Sequence, residues 1–167
     1  MIRKIFEYFF SKFIRFLIGT SISRDLISSL VSDEYKRLNL HTYKIWGKED
    51  RLILGNNVHL NNAMINTVSG SIYIGDNTFL GHGVSLLTGT HDYRKTGLER
   101  QSEVPIDGRD IIIGKGVWIA SNALIIGPCE IRDNSVIAAN SVITGVIEEG
   151  CVVSTINEIK KKKIRFN

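Results

Sequence analysis

The chain has 167 residues, of which 43% are hydrophobic and 23% are charged. It is therefore long enough for one globular domain with a real core, and its composition argues against wholesale disorder. The net charge is +4, but residues 160–167 alone carry five positive charges, which leaves −1 for the rest of the chain. That balance excludes a domain-wide basic surface of the kind that nucleic-acid-binding domains carry.

The first 45 residues predict a helical segment with one apolar and one basic side. Such a helix fits two arrangements: it packs on its own domain or a sister subunit, or it lies in a membrane surface through residues 2–18. The run is a poor secretory signal because Lys12 and Arg15 interrupt it, and it is too short and too charged to span a bilayer. The apolar side comprises Ile2, Ile5, Phe6, Phe9, Phe10, Phe13 and Leu17.

From Leu54 onward the chain repeats with a period of six. Such a period fits neither an amphipathic helix nor simple alternation, and it predicts a short strand followed by a turn, three times per coil. Stacked coils bury a continuous aliphatic column, so we predict an all-β solenoid of about five coils between Leu54 and Val153. The strictest aliphatic positions are Ile113, Ile119, Ile125, Ile131, Ile137 and Ile143.

Four positions after each aliphatic residue comes a second residue, usually small, that we also predict to point inward. These are Val58, Met64, Thr78, Val84, Thr90, Val117, Ala123, Cys129, Ser135, Ser141 and Ile147. Two residues are inserted between Leu60 and Ile74, and a longer insertion predicts a loop over residues 91–110 that leans out of the solenoid. The domains are thus a helical segment (1–45), the β-helix (46–153) and a basic tail (154–167).

The two cysteines, Cys129 and Cys151, form neither a disulfide framework nor a metal-binding pattern. Cys129 falls on an inward position of the repeat, where a small core residue is expected. This cysteine usage fits a reducing compartment, so we predict a cytoplasmic protein, with the N-terminal helix as a candidate contact to the inner face of a membrane.

Three blocks carry a resemblance: SIYIGDNTFLGHGVSLLTGTH, then IIIGKGVWIASNALI, then EIRDNSVIAANSVIT. In order and spacing they resemble the hexapeptide-repeat acyltransferases, in particular galactoside and maltose O-acetyltransferases and polysaccharide-modifying enzymes. The resemblance implies a left-handed parallel β-helix and a homotrimer. It also implies that acetyl-coenzyme A and a saccharide acceptor meet between two subunits, with no metal.

The resemblance implies that His91, at the start of the loop, is the general base of an acetyl-CoA-dependent O-acetyltransferase. A sugar hydroxyl is a poor nucleophile until a base removes its proton, and a neutral imidazole suits that task near pH 7. His41 and His59 are expected to be structural or surface residues. Candidate acceptor-binding residues are Asn61, His82, Asp92, Tyr93 and Arg100.

For the coenzyme, the resemblance implies that Trp118 flanks the pantetheine and that the backbone of Ser121 and Ala139 binds the thioester and pantetheine amides. Thr144 matches a residue on the coenzyme path. The chain departs from the family at Gly145, where a lysine is usual, and in its closing turn, STINE. The lysines around Lys162 are a candidate replacement for the lost phosphate contacts.

Three other functions remain open at this point. In the first, the acceptor is an amino sugar and the reaction is N-acetylation. In the second, the altered coenzyme contacts mark a catalytically inactive scaffold. The third, a zinc enzyme on the same solenoid, fits less well because His82 and His91 are nine residues apart and do not stack on one wall.

Overall fold

The computed structural model describes residues 9–13, 29 and 41–155. Residues 9–13 are helical, as the N-terminal pattern predicts, and the remainder of that predicted helix lies outside the described residues. Residues 1–39 and 40–167 form two separate compact units. No helix among the described residues is long and apolar enough to cross a membrane.

The described part of the larger unit, residues 41–155, contains twelve short strands, all paired in parallel. The connecting segments are mostly tight turns, with one 3₁₀ turn (Glu49–Arg51) and one helix, α1 (Gly97–Ser102), between strands. The strands are β1 (Lys44–Trp46), β2 (Leu52–Leu54), β3 (Met64–Asn66), β4 (Ile72–Ile74), β5 (Phe79–Leu80), β6 (Ser85–Leu87), β7 (Ile111–Ile113), β8 (Trp118–Ile119), β9 (Leu124–Ile131), β10 (Val136–Ile137), β11 (Val142–Ile147) and β12 (Val152–Val153).

The strands stack as three faces of a triangular solenoid. Face A consists of β2, β4, β7 and the second halves of β9 and β11. Face B consists of the bridge at His59 followed by β5, β8, β10 and β12. Face C consists of β1, β3, β6 and the first halves of β9 and β11. Each face thus has five rungs, which confirms the predicted all-β solenoid and is consistent with a left-handed β-helix.

The core is the aliphatic column that the period of six predicts. Because one side chain from each face points to the axis at every level, the coils bury one another and no single coil is stable alone. Ile113, Ile119, Ile125, Ile131, Ile137 and Ile143 are all buried. The small residues Val117, Ala123, Cys129, Ser135 and Ser141 are buried beside them.

The prediction for Met64 is wrong: its side chain is exposed, and Ala63 and Ile65 point inward instead. The first corner between faces B and C is one residue shorter than the later ones, because Leu60 and Ile65 are five apart whereas Leu80 and Leu86 are six apart. The extra residues lie at the next corner, 67–70, so the net insertion of two is a loss of one followed by a gain of three.

The inward prediction for Thr90 also needs correction, whereas the prediction for Ile147 is confirmed, because its half-buried side chain packs against the core. Thr90 lies in the loop after β6, whereas Thr88 is the fully buried threonine there. In the last coil a register shift between Ile143 and Gly145 pairs Ile147 with Ile131 and Gly145 with Cys129. Ile147 therefore continues the large aliphatic column, and the exposed Gly145 lies in register with Cys129.

Candidate active site

The loop over residues 88–110 emerges at the corner between faces C and A, called corner CA below. Its two ends are joined at the root, where the Arg109 guanidinium donates to the carbonyl of Thr88 at 2.7 Å. The Thr88 hydroxyl accepts from the Ser69 amide at 3.1 Å, and the Arg109 amide donates to the Ser69 carbonyl at 3.2 Å. The two ends of the loop are therefore hydrogen-bonded to each other and to Ser69 of the solenoid.

Within the loop, a cluster of charged side chains organises α1. The Lys95 ammonium contacts the carboxylates of Glu103 and Glu99, the latter at 2.7 Å, and these bonds raise the pKa of Lys95 well above its usual range. The Arg100 guanidinium donates to the backbone carbonyls of Lys95 and Tyr93. Arg100, predicted to bind acceptor, thus holds the loop together.

His91 is exposed at the start of this loop. Within residues 41–155, its imidazole has no hydrogen-bond partner. The neighbouring carboxylate of Asp92 accepts instead from the Arg94 amide at 3.0 Å and pairs with the Arg94 guanidinium at 3.4 Å. The same guanidinium lies over the Tyr93 ring, 5.6 Å from its centroid. His91 is therefore free to meet a ligand, whereas Asp92 and Tyr93 are engaged with Arg94.

The opposite edge of face C, called corner BC below, carries the predicted coenzyme residues. His82, Ser121 and Ala139 stack there in successive coils, since the amide of Asn122 donates to the His82 carbonyl and that of Asn140 to the Ser121 carbonyl. The amide N–H groups of Ser121 and Ala139 themselves find no acceptor in the described part of the chain. They form a short row of donors at the surface, as a carbonyl ligand requires.

Trp118 stands on the outside of face B, where it is 45% exposed. It pairs in register with Phe79 on the coil before, and the two rings stack at 5.9 Å and 15°. Phe79 was not singled out in the sequence. The sequence pattern that could have identified Phe79 is its place directly before the inward aliphatic residue Leu80. Trp118 occupies the same place before Ile119.

The remaining predicted residues are dispersed. Thr144 lies in the register shift of β11, with its hydroxyl 3.5 Å from the Pro128 carbonyl. Asn61 lies in the shortened corner BC, in the left-handed region at φ 47°, and donates to the Leu80 carbonyl at 2.6 Å. Lys162 lies outside the described residues. Among those described, no three His, Cys, Asp or Glu side chains are grouped to hold a metal ion.

One chain therefore holds the predicted site in two parts. His91, Asp92, Tyr93, Arg100 and Thr144 belong to corner CA and its loop. His82, Ser121, Ala139 and Asn61 belong to corner BC, across the width of face C.

A family model described as bacterial transferase hexapeptide (six repeats) matches residues 110–145. Over this segment, the chain therefore carries the hexapeptide repeat that the sequence blocks predict. It is 31% identical over 114 residues to the bifunctional protein GlmU of Campylobacter jejuni, which covers 67% of this chain and 24% of that protein. It is also 31% identical over 103 residues to the putative acetyltransferase YJL218W of Saccharomyces cerevisiae, which covers 62% and 51% of the two chains.

The chain spans between a quarter and a half of the length of these curated relatives. Among solved structures, this hexapeptide-repeat chain is similar to a hexapeptide-repeat-containing acetyltransferase of Vibrio cholerae, complexed with acetyl-coenzyme A. The TM-score is 0.54 at 21% identity, over 83% of this chain and 86% of that one. At that identity the similarity establishes a shared fold.

Proposed function

We propose that this chain is an acetyltransferase that moves acetyl from acetyl-coenzyme A to a hydroxyl of a saccharide, with His91 as the general base. The observation that carries the proposal is the position of His91. It is an exposed imidazole without a partner among the described residues, at the base of the long loop of a hexapeptide-repeat solenoid. The acetyl-coenzyme A bound to the structurally similar Vibrio cholerae protein supports the choice of donor.

In this mechanism the neutral imidazole removes the hydroxyl proton as the sugar oxygen attacks the thioester carbonyl. A carbon–oxygen bond forms, and the carbonyl oxygen gains negative charge in a tetrahedral intermediate. The carbon–sulfur bond then breaks, the acetyl ester remains on the sugar, and the imidazolium returns its proton to the departing thiolate. The base contributes a factor of roughly 10²–10⁴ to the rate.

The row of free N–H groups at corner BC suits the coenzyme. An amide N–H from Ser121 or Ala139 would donate to the thioester oxygen as its charge develops, or to a pantetheine carbonyl. Trp118, stacked on Phe79, offers an apolar surface for the pantetheine chain. Thr144 and the lysines around Lys162 are proposed for the nucleotide end, where positive charge would meet the phosphates.

The separation of the two corners supports a site shared between copies of the chain. His91 at corner CA and the N–H row at corner BC lie on opposite edges of face C. In a ring of three copies, corner CA of one copy would lie beside corner BC of the next copy. Both halves of the site would then come together. We therefore propose a homotrimer with its active sites between subunits.

The N-terminal segment is proposed to bring the enzyme to a membrane surface. Phe9, Phe10 and Phe13 are each more than half exposed on residues that are helical. Basic residues accompany them in residues 2–18, a combination that favours anionic lipid. Co-sedimentation with vesicles containing phosphatidylserine, with and without residues 2–18, tests this; equal binding of both forms would refute it.

The function is tested by release of free coenzyme A thiol from acetyl-coenzyme A across a panel of hydroxyl and amino sugars. We expect release that depends on a hydroxyl sugar. Release that requires an amino sugar instead would establish N-acetylation and contradict the O-acetyl proposal. No release, together with no binding of coenzyme A at millimolar concentration, would favour an inactive scaffold.

A further inference from the structure

A pocket at the N-terminal end of the solenoid is lined by side chains of which only Asn61 belongs to the site above. It lies beneath the first rung of face B and encloses about 290 Å³, the lower end of the range for small-ligand pockets. Its floor is apolar and its rim is polar or aromatic. The floor is Leu54, Val58 and Leu60, and the rim is His41, Tyr43, His59 and Asn61.

Several contacts hold the polar rim in place. The Asn61 amide group is fixed by its bond to the Leu80 carbonyl, which leaves its own carbonyl oxygen as an acceptor for a ligand. The His59 ring nitrogen Nε2 lies 3.2 Å from the Asn57 amide oxygen, and the His59 backbone bridges to Phe79. These polar groups are therefore positioned before any ligand arrives.

A third histidine joins the cluster from the next coil. The rings of His41 and His82 meet edge to face, with centroids 6.2 Å apart and planes at 66°. Three of the four histidines of the chain thus gather around the shortened first corner BC. Neither the period of six nor the composition requires histidine at any of these positions.

The chemistry of the lining selects the ligand. Among the described residues that line the pocket there is no carboxylate, ammonium or guanidinium, so these residues offer no ion pair to a phosphate or a carboxylate. Imidazole, phenol and amide groups provide both donors and acceptors above an apolar floor. That combination matches a neutral ring with many hydroxyl groups and one apolar C–H face.

We propose that this pocket binds a sugar ring of the saccharide acceptor, with His41, Tyr43 and His59 as binding residues. The inference rests on the proposed function and adds the residues that recognise the acceptor. It predicts that the pocket affects acceptor binding and leaves coenzyme binding unchanged.

The test is saturation-transfer NMR on the full chain without acetyl-coenzyme A, with glucose, galactose, maltose and lactose as probes. The variants are Tyr43→Phe and the double substitution His41→Ala with His59→Ala. The matched control is Tyr73→Phe, because Tyr43 and Tyr73 are both 41% exposed and only Tyr43 lines the pocket. Tyr43→Phe keeps the ring, so it remains informative if the double variant does not fold.

We expect the wild type and Tyr73→Phe to bind at least one probe equally. The double variant is expected to bind it about tenfold more weakly, since it loses hydrogen bonds to the ligand. In the thiol-release assay the same variants should raise KM for the acceptor and leave KM for acetyl-coenzyme A unchanged.

Two results would overturn the assignment of the pocket as a sugar-binding site. One is that the folded wild type binds none of the probes, and the other is that the wild type and both pocket variants bind them with equal affinity. These are distinguishable from failure of the proposed function. If acetyl transfer occurs with an unchanged acceptor KM in the variants, the function stands and the pocket assignment is wrong. If a sugar binds here and no acetyl transfer occurs with any acceptor, the pocket stands as a sugar site and its role in acetylation is lost.

Discussion

At the scale of single residues, the pKa of the Cys129 thiol depends on its burial inside the solenoid. Burial, together with the negative charge of Glu130, raises the pKa of Cys129 to about 11. Because the thiolate is the reactive form, iodoacetamide at pH 8 should alkylate Cys151 of the native protein much faster than Cys129. Peptide mass spectrometry over a time course measures this, with the urea-unfolded chain as control. Equal rates in the native protein would contradict it.

His91 and Trp118 could be proposed as site residues from the sequence because each lies in a recognisable block of the repeat. The roles of Arg100 and Phe79 could not be predicted, since hydrogen bonds to a backbone carbonyl and contacts between coils depend on the folded path of the chain. The contact of His41 with His82 has the same character: the two residues are 41 positions apart and meet only through the stacking of the coils.

At the scale of elements, neighbouring isoleucines in β7 provide a matched pair for testing the core. Ile111 is fully buried, whereas Ile112 is 47% exposed on the outside of the same strand. Ile111→Ala should lower the free energy of unfolding by about 2–5 kcal/mol, because it leaves a cavity between coils. Ile112→Ala should change it by about 0.5 kcal/mol or less. Urea unfolding measures both, and equal losses would contradict the assigned faces.

The loop offers a second test at this scale, because Arg100 joins two of its backbone carbonyls. Arg100→Ala should speed amide hydrogen exchange in residues 91–103 by about tenfold, as local opening becomes easier. Arg94→Ala is the matched control, since among the described residues the Arg94 guanidinium contacts its neighbours Asp92 and Tyr93 and no others. Unchanged exchange in the Arg100 variant would show that the charged cluster around Lys95 suffices to order the loop.

The strands themselves could be predicted because a strict period of six leaves few alternatives for where the aliphatic side chains point. The error at Met64 shows the limit of that inference. Spacing gives the net number of inserted residues between two strands, but it does not say which of two corners absorbs them. A loss at 61–63 and a gain at 67–70 produce the same total.

At the scale of the whole molecule, the proposed trimer depends on a site whose two halves come from different copies of the chain. The spacing of the repeat contains no information on oligomeric state, because exposed residues on the outer faces serve a monomer or an assembly equally well. The proposed trimer predicts a mass in solution of about three times the 18.7 kDa chain. Multi-angle light scattering behind size exclusion measures it, and a monomer with full activity would contradict the shared site.

The most direct measurement compares acetyl transfer by the wild type and His91→Ala at saturating acetyl-coenzyme A. The account predicts that kcat falls by about 10²–10⁴-fold while thermal unfolding and KM for acetyl-coenzyme A stay unchanged, because only the proton transfer is lost. A variant that retains the wild-type kcat would contradict it, since the exposed imidazole at the base of the loop would then play no part in the chemistry.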